Sequence, residues 1–481
     1  VKVGAEMHVI AVDLGASNGR VMKVEYIGDA FSIHEVHRFP NTPVQRGGKL
    51  SWDIQQLWRE TIKGVEWASE GAQSIGIDSW GVDFGLLDPQ GNLMEDPFHY
   101  RDQRTEGMME WVFDRMGRRE IFDRTGVQFL PLNTLYQLAS LVKRRKRTLN
   151  KAGGYLGFPD LFNFWLTGEK RCELTHATTT QLFNPVKGTW DEEIIEAVGL
   201  PVDLFPPIVK PGTILGAMNS VSITAPACHD TGSAVAAVPT KATKFCYISS
   251  GTWSLLGTEV PSPVINDAVY DLNFTNEGGV EGTTRLLRNL PGFWFQQELL
   301  REWVGKGEAV TNEDLQEMAV NEEPFRCFID PWDPLFMAPG EMTPRIVKYC
   351  RDTGQSEPMS MGEHIRCVYE SLAVLYRHTL SELESITGKT YEHIHIIGGG
   401  SQNKVMNQLT ADATDRTVIA GPIEATAIGN AIMQLKGIGM LDDVWEARGV
   451  LAERLLQQFY RPQSGADWDT AYTRFMELKG Q

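Results

Sequence analysis

The sequence predicts an α/β protein of two domains, and three observations lead there. At 481 residues the chain is about three times the usual domain size of roughly 150 residues, so a single core is not expected. Short β-rich runs alternate with helical periodicity through both halves, the pattern of sheets covered by helices. One design of strand, glycine turn and strand also occurs twice, at His8 to Met22 and again at Phe245 to Leu256. The chain changes character around 234–249, and the boundary is placed between an N-terminal domain, 1–238, and a C-terminal domain, 239–481.

In chain order, Val9 to Val12, Arg20 to Tyr26 and Ser32 to Phe39 read as strands, broken by Gly15 and by Gly47-Gly48. Asp53 precedes an amphipathic run with Leu57, Trp58, Ile62 and Val65 and reads as its N-cap. Strands follow at Ser74 to Asp78 and Val82 to Asp88. The basic run Lys143 to Arg147 follows the apolar stretch Leu132 to Val142 and reads as a solvated helix end, where positive charge suits the helix dipole. In the second half Phe245 to Ser249 reads as a strand. Ile365, Val368, Leu372, Leu375, Leu383 and Ile386 mark a long helix face stopped by Gly388, and His393 to Ile397 is a strand.

Composition narrows the function. With 42% apolar and 22% charged residues the chain reads as an ordinary folded protein, neither disordered nor a coiled coil. Its 45 Lys and Arg against 62 Asp and Glu give a net charge of -17, which repels nucleic acid and anionic bilayers; an anionic substrate then needs a local device such as a metal ion or backbone N–H groups. The six cysteines are dispersed, without a Cys-x-x-Cys pair or zinc-ligand spacing, which fits a reducing cytoplasm. Neither a leader nor a membrane span is read, so no membrane partner is expected.

Five segments carry chemistry. Asp13-Leu-Gly-Ala-Ser-Asn-Gly-Arg20 sets a carboxylate beside a turn able to bind phosphate oxygens, and Ser249-Ser-Gly-Thr-Trp253 is its counterpart; each alone reads first as an ordinary hairpin, and the pairing favours phosphate. Ile396-Ile-Gly-Gly-Gly-Ser-Gln-Asn403 is a strand, a glycine turn and a helical run, without Rossmann spacing. Gly388-Lys-Thr390 is no P-loop, because Leu383 stands where a glycine is required. In Ala227-Cys-His-Asp-Thr-Gly-Ser233, Asp230 reads from the residues alone as an N-cap, with general base as the alternative. Asp78-Ser-Trp-Gly-Val-Asp-Phe84 reads equally as a sugar-gripping Trp80 or as a buried tryptophan between solvated carboxylates.

Together, Asp13-Leu-Gly, Gly76-Ile-Asp-Ser-Trp-Gly-Val-Asp83, His229-Asp-Thr231, Ser250-Gly-Thr-Trp253 and Gly398-Gly-Gly-Ser-Gln-Asn403 resemble the FGGY carbohydrate kinases. Tyr100-Arg-Asp102, Gly126 to Gln137, Ala177-Thr-Thr-Thr-Gln181, Thr275-Asn-Glu-Gly-Gly279 and Ala420 to Ala425 extend the resemblance over nearly the whole chain. It implies two ribonuclease-H-like domains of the actin and hexokinase type around a deep cleft, with ATP and Mg²⁺. The implied reaction is transfer of the γ-phosphoryl group to the C1 hydroxyl of a ketose, L-rhamnulose first and L-fuculose as the alternative. Carried over, Ala16, Ser17, Asn18, Gly19, Arg20, Thr252, Gln297, Gly399 and Gly400 would contact ATP. Gly81, His229, Asp230, Thr231 and Asn289 would contact the sugar, Asp230 would be the base, and Asp13 would serve the metal. The expected assembly is a monomer or small homo-oligomer. A nucleotide-switched protein of the actin or chaperone type is the alternative from another class, but it needs neither Trp80 nor the His229-Asp230 pair.

Overall fold

The computed structural model describes residues 7–28 and 30–479. Their contacts group the chain into two units. The first takes residues 1–241, 259–287 and 424–455, and the second takes 242–258, 288–423 and 456–481. The first unit runs unbroken to Lys241, and two segments of the expected C-terminal domain, 259–287 and 424–455, group with it.

The first unit is built on a six-stranded sheet in the order Thr213–Met218, Val221–Ala225, Ser74–Ser79, Met7–Leu14, Asn18–Ile27 and Ala30–Pro40. Met7–Leu14 is antiparallel to Asn18–Ile27 and parallel to Ser74–Ser79. Val9, Ile10, Ala11, Val12 and Leu14 are all buried, a continuous apolar strand covered on both faces. Helix Ile54–Ala68 packs on Asn18–Ile27, and Asp53 caps it by accepting from the Gln56 N–H at 3.1 Å, as the sequence pattern predicts. Helix Ala425–Gly437 packs on Met7–Leu14, on Ser74–Ser79 and on helix Asp230–Ala236.

In the second unit Cys246–Ser250 pairs antiparallel with Trp253–Val260 and parallel with His393–Ile397, which in turn runs parallel to Thr417–Ala420. Each unit therefore opens on the strand, turn and strand that the internal repeat predicts. The long helix is Met361–Thr387. Ser360 and Glu363 form a capping box at its start, and Gly388 ends it at φ 64°, a conformation that glycine adopts without steric cost. The basic run ends helix Thr134–Arg144 and opens the short helix Lys146–Leu149. His34 and His37 lie in strand Ala30–Pro40, away from any helical metal motif.

Candidate active site

In the first unit the strand Met7–Leu14 carries Asp13 to its end, opposite Arg20 in the antiparallel register and opposite Asp78 in the parallel one. The turn between the first two strands closes through Gly15 N–H to Asn18 O at 2.9 Å, and Asn41 pins it by donating to Gly15 O at 2.9 Å. Gly19 is required by close approach, since a Cβ there would lie 2.3 Å from the Phe39 ring. Arg20 reaches back to Asp13 and forward to Glu424, the latter at 2.5 Å. Burial works against its charge, but the two carboxylates outweigh burial and raise its pKa.

Asp78 is fully buried, and Asn430 donates to its Oδ2 at 2.5 Å while its Oδ1 has no hydrogen-bond partner. Burial first, and the charge of Asp13 second, push its pKa well up. The carboxylates of Asp13 and Asp78 are hard oxygen donors of the kind a divalent cation such as Mg²⁺ takes. Among the described residues no three carboxylate or imidazole groups converge on a common point. Such an ion would therefore take one or two carboxylates and complete its shell with water and phosphate oxygens.

The segment around Asp230 continues from the same sheet. Ser79 forms a parallel bridge with His229, and Ser79 N–H donates to Cys228 O at 2.9 Å, which seats helix Asp230–Ala236 at the end of strand Ser74–Ser79. His229, not Asp230, occupies the N-cap, and it makes no side-chain capping bond; Asp230 is the first helical residue. The N-cap reading of Asp230 is thereby replaced. Its Oδ1 accepts from Thr231 N–H at 2.5 Å and from Thr231 Oγ1 at 3.1 Å, and the side chain stays 30% exposed. Burial and the Asp13 charge raise its pKa, against the opposing pull of His229. Beneath this loop, fully buried Glu173 accepts from Cys228 N–H at 2.9 Å and Thr175 N–H at 2.9 Å, and Thr175 Oγ1 accepts from His229 N–H at 3.0 Å. Burial pushes Glu173 up to about 7.

Gly81 abuts Thr179, whose Oγ1 accepts from Val82 N–H at 3.1 Å, and Val82 itself holds φ 68°, a strained value for a β-branched residue. Trp80 does not present a stacking face for a sugar. It is buried with ring centroids 4.4 Å from both Trp52 and Phe158, and its indole N–H donates to Asp83 Oδ2 at 2.9 Å. The turn carboxylates are not solvated either: Asp83 is fully buried and accepts from Trp52 at 2.7 Å and from Gln137 at 3.0 Å. Burial pushes its pKa up to about 6.

In the second unit the turn after Cys246–Ser250 is one residue shorter than the first, closing through Gly251 N–H to Trp253 O at 2.9 Å. Thr252 Oγ1 donates to Gln297 Oε1 at 3.1 Å, so two of the expected nucleotide contacts touch each other. The three-glycine turn approaches the same strand. A Cβ on Gly400 would lie 2.1 Å from Ser250 Oγ, while Gly399 is exposed and open. Asn289 lies half-buried on strand Thr284–Pro291 of this unit. The structure thus groups Asp13, Ala16–Arg20, Gly81 and His229–Thr231 in one unit, and Thr252, Gln297, Asn289, Gly399 and Gly400 in the other.

Residues 8–229 match the N-terminal domain of the FGGY family of carbohydrate kinases, and residues 246–438 match its C-terminal domain. The chain belongs to that family. It is 41% identical to a rhamnulokinase of Bacteroides thetaiotaomicron, over 98% of this chain and 99% of that one. It is also 41% identical to a rhamnulokinase of Klebsiella pneumoniae, over 96% of each. Among solved structures it resembles a gluconate kinase from Lactobacillus acidophilus, with TM-score 0.78 and 16% identity, covering 98% of this chain and 96% of that one. A Plasmodium falciparum glycerol kinase with ADP matches at TM-score 0.74 and 15% identity, covering 100% and 98%. The fold is therefore the two-domain FGGY kinase fold of ribonuclease-H-like type, as predicted.

Sequence reasoning gave no role to Glu424, Asn430, Glu173, Glu277 or Arg285; Glu424 and Glu277 lie in segments that carry the family resemblance, while Asn430, Glu173 and Arg285 stand outside them. It also read the cysteines as dispersed, whereas the sulfurs of Cys327, Cys350 and Cys367 lie within 4.8 Å of one another in the second unit. All six cysteines are free thiols.

Proposed function

We propose that this kinase transfers the γ-phosphoryl group of ATP to the C1 hydroxyl of L-rhamnulose, giving L-rhamnulose 1-phosphate and ADP. The observation that carries the reading is the 41% identity to rhamnulokinases over at least 96% of the chain. Phosphoryl transfer asks a protein for positioning and charge neutralisation, plus one base for the acceptor hydroxyl. Asp230 takes the C1 hydroxyl proton as the oxygen forms its bond to phosphorus and the bond to ADP breaks. Its raised pKa suits that task, because a base works best when its affinity for the proton approaches the working pH.

His229, Thr231, Asn289 and the Gly81 backbone bind the sugar hydroxyls. Ala16 to Arg20, Thr252, Gln297, Gly399 and Gly400 bind ATP, with the two matched turns offering backbone N–H groups to phosphate oxygens. Mg²⁺, which this chemistry ordinarily uses, supplies neutralisation of phosphate charge when bound, and Asp13 is the residue to hold it or its waters. Arg20 pairs with Asp13 and holds its carboxylate in place. Among the described residues no helix is long and apolar enough to cross a membrane, and six free thiols suit a reducing cytoplasm.

The test is ADP release from the purified protein with ATP and a panel of ketoses. L-rhamnulose is expected to lead the panel. Equal ATP turnover with and without sugar contradicts the reading.

A further inference from the structure

Thr275-Asn-Glu-Gly-Gly279 has no part in the reaction as set out so far, yet the fold folds it onto the base. Glu277 and Arg285 face each other across the antiparallel pair Thr275–Gly278 and Thr284–Pro291. Arg285 is fully buried and Glu277 nearly so, with Arg285 Nη2 3.2 Å from Glu277 Oε2. The same Nη2 lies 3.2 Å from His229 Nδ1 in hydrogen-bonding geometry, while Arg285 Nε donates to Gly278 O at 2.8 Å. On the far side of the ring, His229 Nε2 lies 3.4 Å from Asp230 Oδ1.

A guanidinium has donors and no acceptor, and it stays charged in a protein. The ring nitrogen that meets it must offer a lone pair, so Nδ1 is bare and the ring proton sits on Nε2, facing Asp230. The opposite tautomer would place a proton on Nδ1, toward Glu277 Oε2 at 3.2 Å, and turn the Nε2 lone pair onto the Asp230 carboxylate. An imidazolium could donate to both carboxylates, but Arg285 already neutralises Glu277, and a second cation in a buried pocket pays desolvation without need.

We propose that Arg285, held by Glu277, is a positioning residue that fixes His229 as its Nε2–H tautomer, so that His229 donates to Asp230 and sets the carboxylate for proton transfer. Thr231 N–H and Thr231 Oγ1 already donate to Oδ1, and His229 Nε2 lies 3.4 Å from the same oxygen, so Oδ2 is the one that receives the sugar proton. The inference rests on the reading of Asp230 as the base.

The experiment uses the full chain with ¹⁵N-labelled histidine, the His229 signals being assigned by comparison with a His229→Gln variant. Long-range ¹H–¹⁵N spectra of the wild type are expected to show one protonated ring nitrogen, Nε2, and one bare one, Nδ1. A doubly protonated ring, or the proton on Nδ1, overturns the proposal whatever any variant does. The double variant Glu277→Gln/Arg285→Met removes both buried charges together; its His229 spectrum should become a tautomer mixture and its kcat should fall about 10²-fold, the usual effect of misplacing a reacting group by about 1 Å, with KM for ATP unchanged. A folded double variant that keeps kcat and the Nε2–H pattern overturns the proposal too. If the double variant does not fold, Arg285→Lys serves in its place, since it keeps the charge but not the fork geometry, and the same two readouts apply. Because the wild-type spectrum does not depend on what Asp230 does, an Asp230→Asn variant with full turnover would remove the base assignment while leaving the tautomer result standing.

Discussion

Substituting Gly429 by alanine should cripple catalysis from a position that no substrate touches. Gly429 lies in helix Ala425–Gly437 against helix Asp230–Ala236, and a Cβ there would fall 1.7 Å from Ser233 O and 2.6 Å from Ser233 C. Ordinary contact begins at 3.4 Å, so the two backbones must part by roughly 1.7 Å along that line, and no side chain can swing aside to absorb it. Overpacking of this kind costs about 1–3 kcal/mol. The helix that moves begins with Asp230, and a shift of about 1 Å in a reacting group costs about 10²-fold in rate. The assay is coupled ADP release at saturating sugar and ATP, beside a urea denaturation curve. Gly305→Ala is the control: it lies near the end of helix Trp294–Gly305, and nothing stands within 4 Å of its Cβ position. The expected result is a lowered urea midpoint and kcat for Gly429→Ala and neither for Gly305→Ala. A Gly429→Ala protein with wild-type midpoint and kcat refutes the reasoning.

Three further outcomes follow from the site. Asp83 has its pKa raised from 3.8 to about 6 by burial, so the stability it contributes is full below about pH 4 and is lost as pH rises to about 6. The stability of the wild type relative to Asp83→Asn should accordingly fall by about 3 kcal/mol over that window and level off above it, read from urea midpoints; a flat difference contradicts the assignment. Asp13→Asn should raise the Mg²⁺ concentration for half-maximal turnover and, by removing a charge that raises Asp230, move the acid limb of kcat/KM to lower pH; an unchanged Mg²⁺ titration opposes the metal role. Gln297→Ala, which deletes the partner of Thr252 Oγ1, should raise KM for ATP by roughly 3- to 10-fold, the worth of one hydrogen bond, with KM for the sugar unaffected.

What the sequence made legible was local. The paired strand–turn–strand repeats, the Asp53 cap, the Gly388 stop and the strand His393–Ile397 each depend on residues within a few positions of one another, and each stands where the pattern places it. What it hid depends on distance along the chain. Arg20 meets Glu424 and Asp78 meets Asn430 through segments more than 350 residues apart; Glu424 sits in a segment of the family resemblance that does not point to Arg20, and Asn430 lies outside those segments. Trp80 read as a possible sugar platform because tryptophan beside carboxylates has the same composition either way; only the packing of Trp52 and Phe158 against it, and the burial of Asp83 beneath both indoles, decides for the core. The cap reading of Asp230 failed by a single residue, since helix Asp230–Ala236 begins one position before an Asp230 cap would start it. The cysteine trio eluded a rule built on short spacings, because Cys327, Cys350 and Cys367 meet only through the tertiary fold.

The central claim is that Asp230 drives phosphoryl transfer to C1 of L-rhamnulose. The most direct measurement is kcat/KM of wild type and Asp230→Asn on L-rhamnulose, with L-fuculose alongside and the product's phosphorylated carbon located by ³¹P–¹H correlation. The account predicts L-rhamnulose 1-phosphate as the product and a preference for L-rhamnulose over its C4 epimer. It also predicts a loss of about 10²- to 10⁴-fold in the folded Asp230→Asn variant with ATP binding retained. Phosphate on another carbon, a higher kcat/KM for L-fuculose, or near-normal turnover by Asp230→Asn would contradict it.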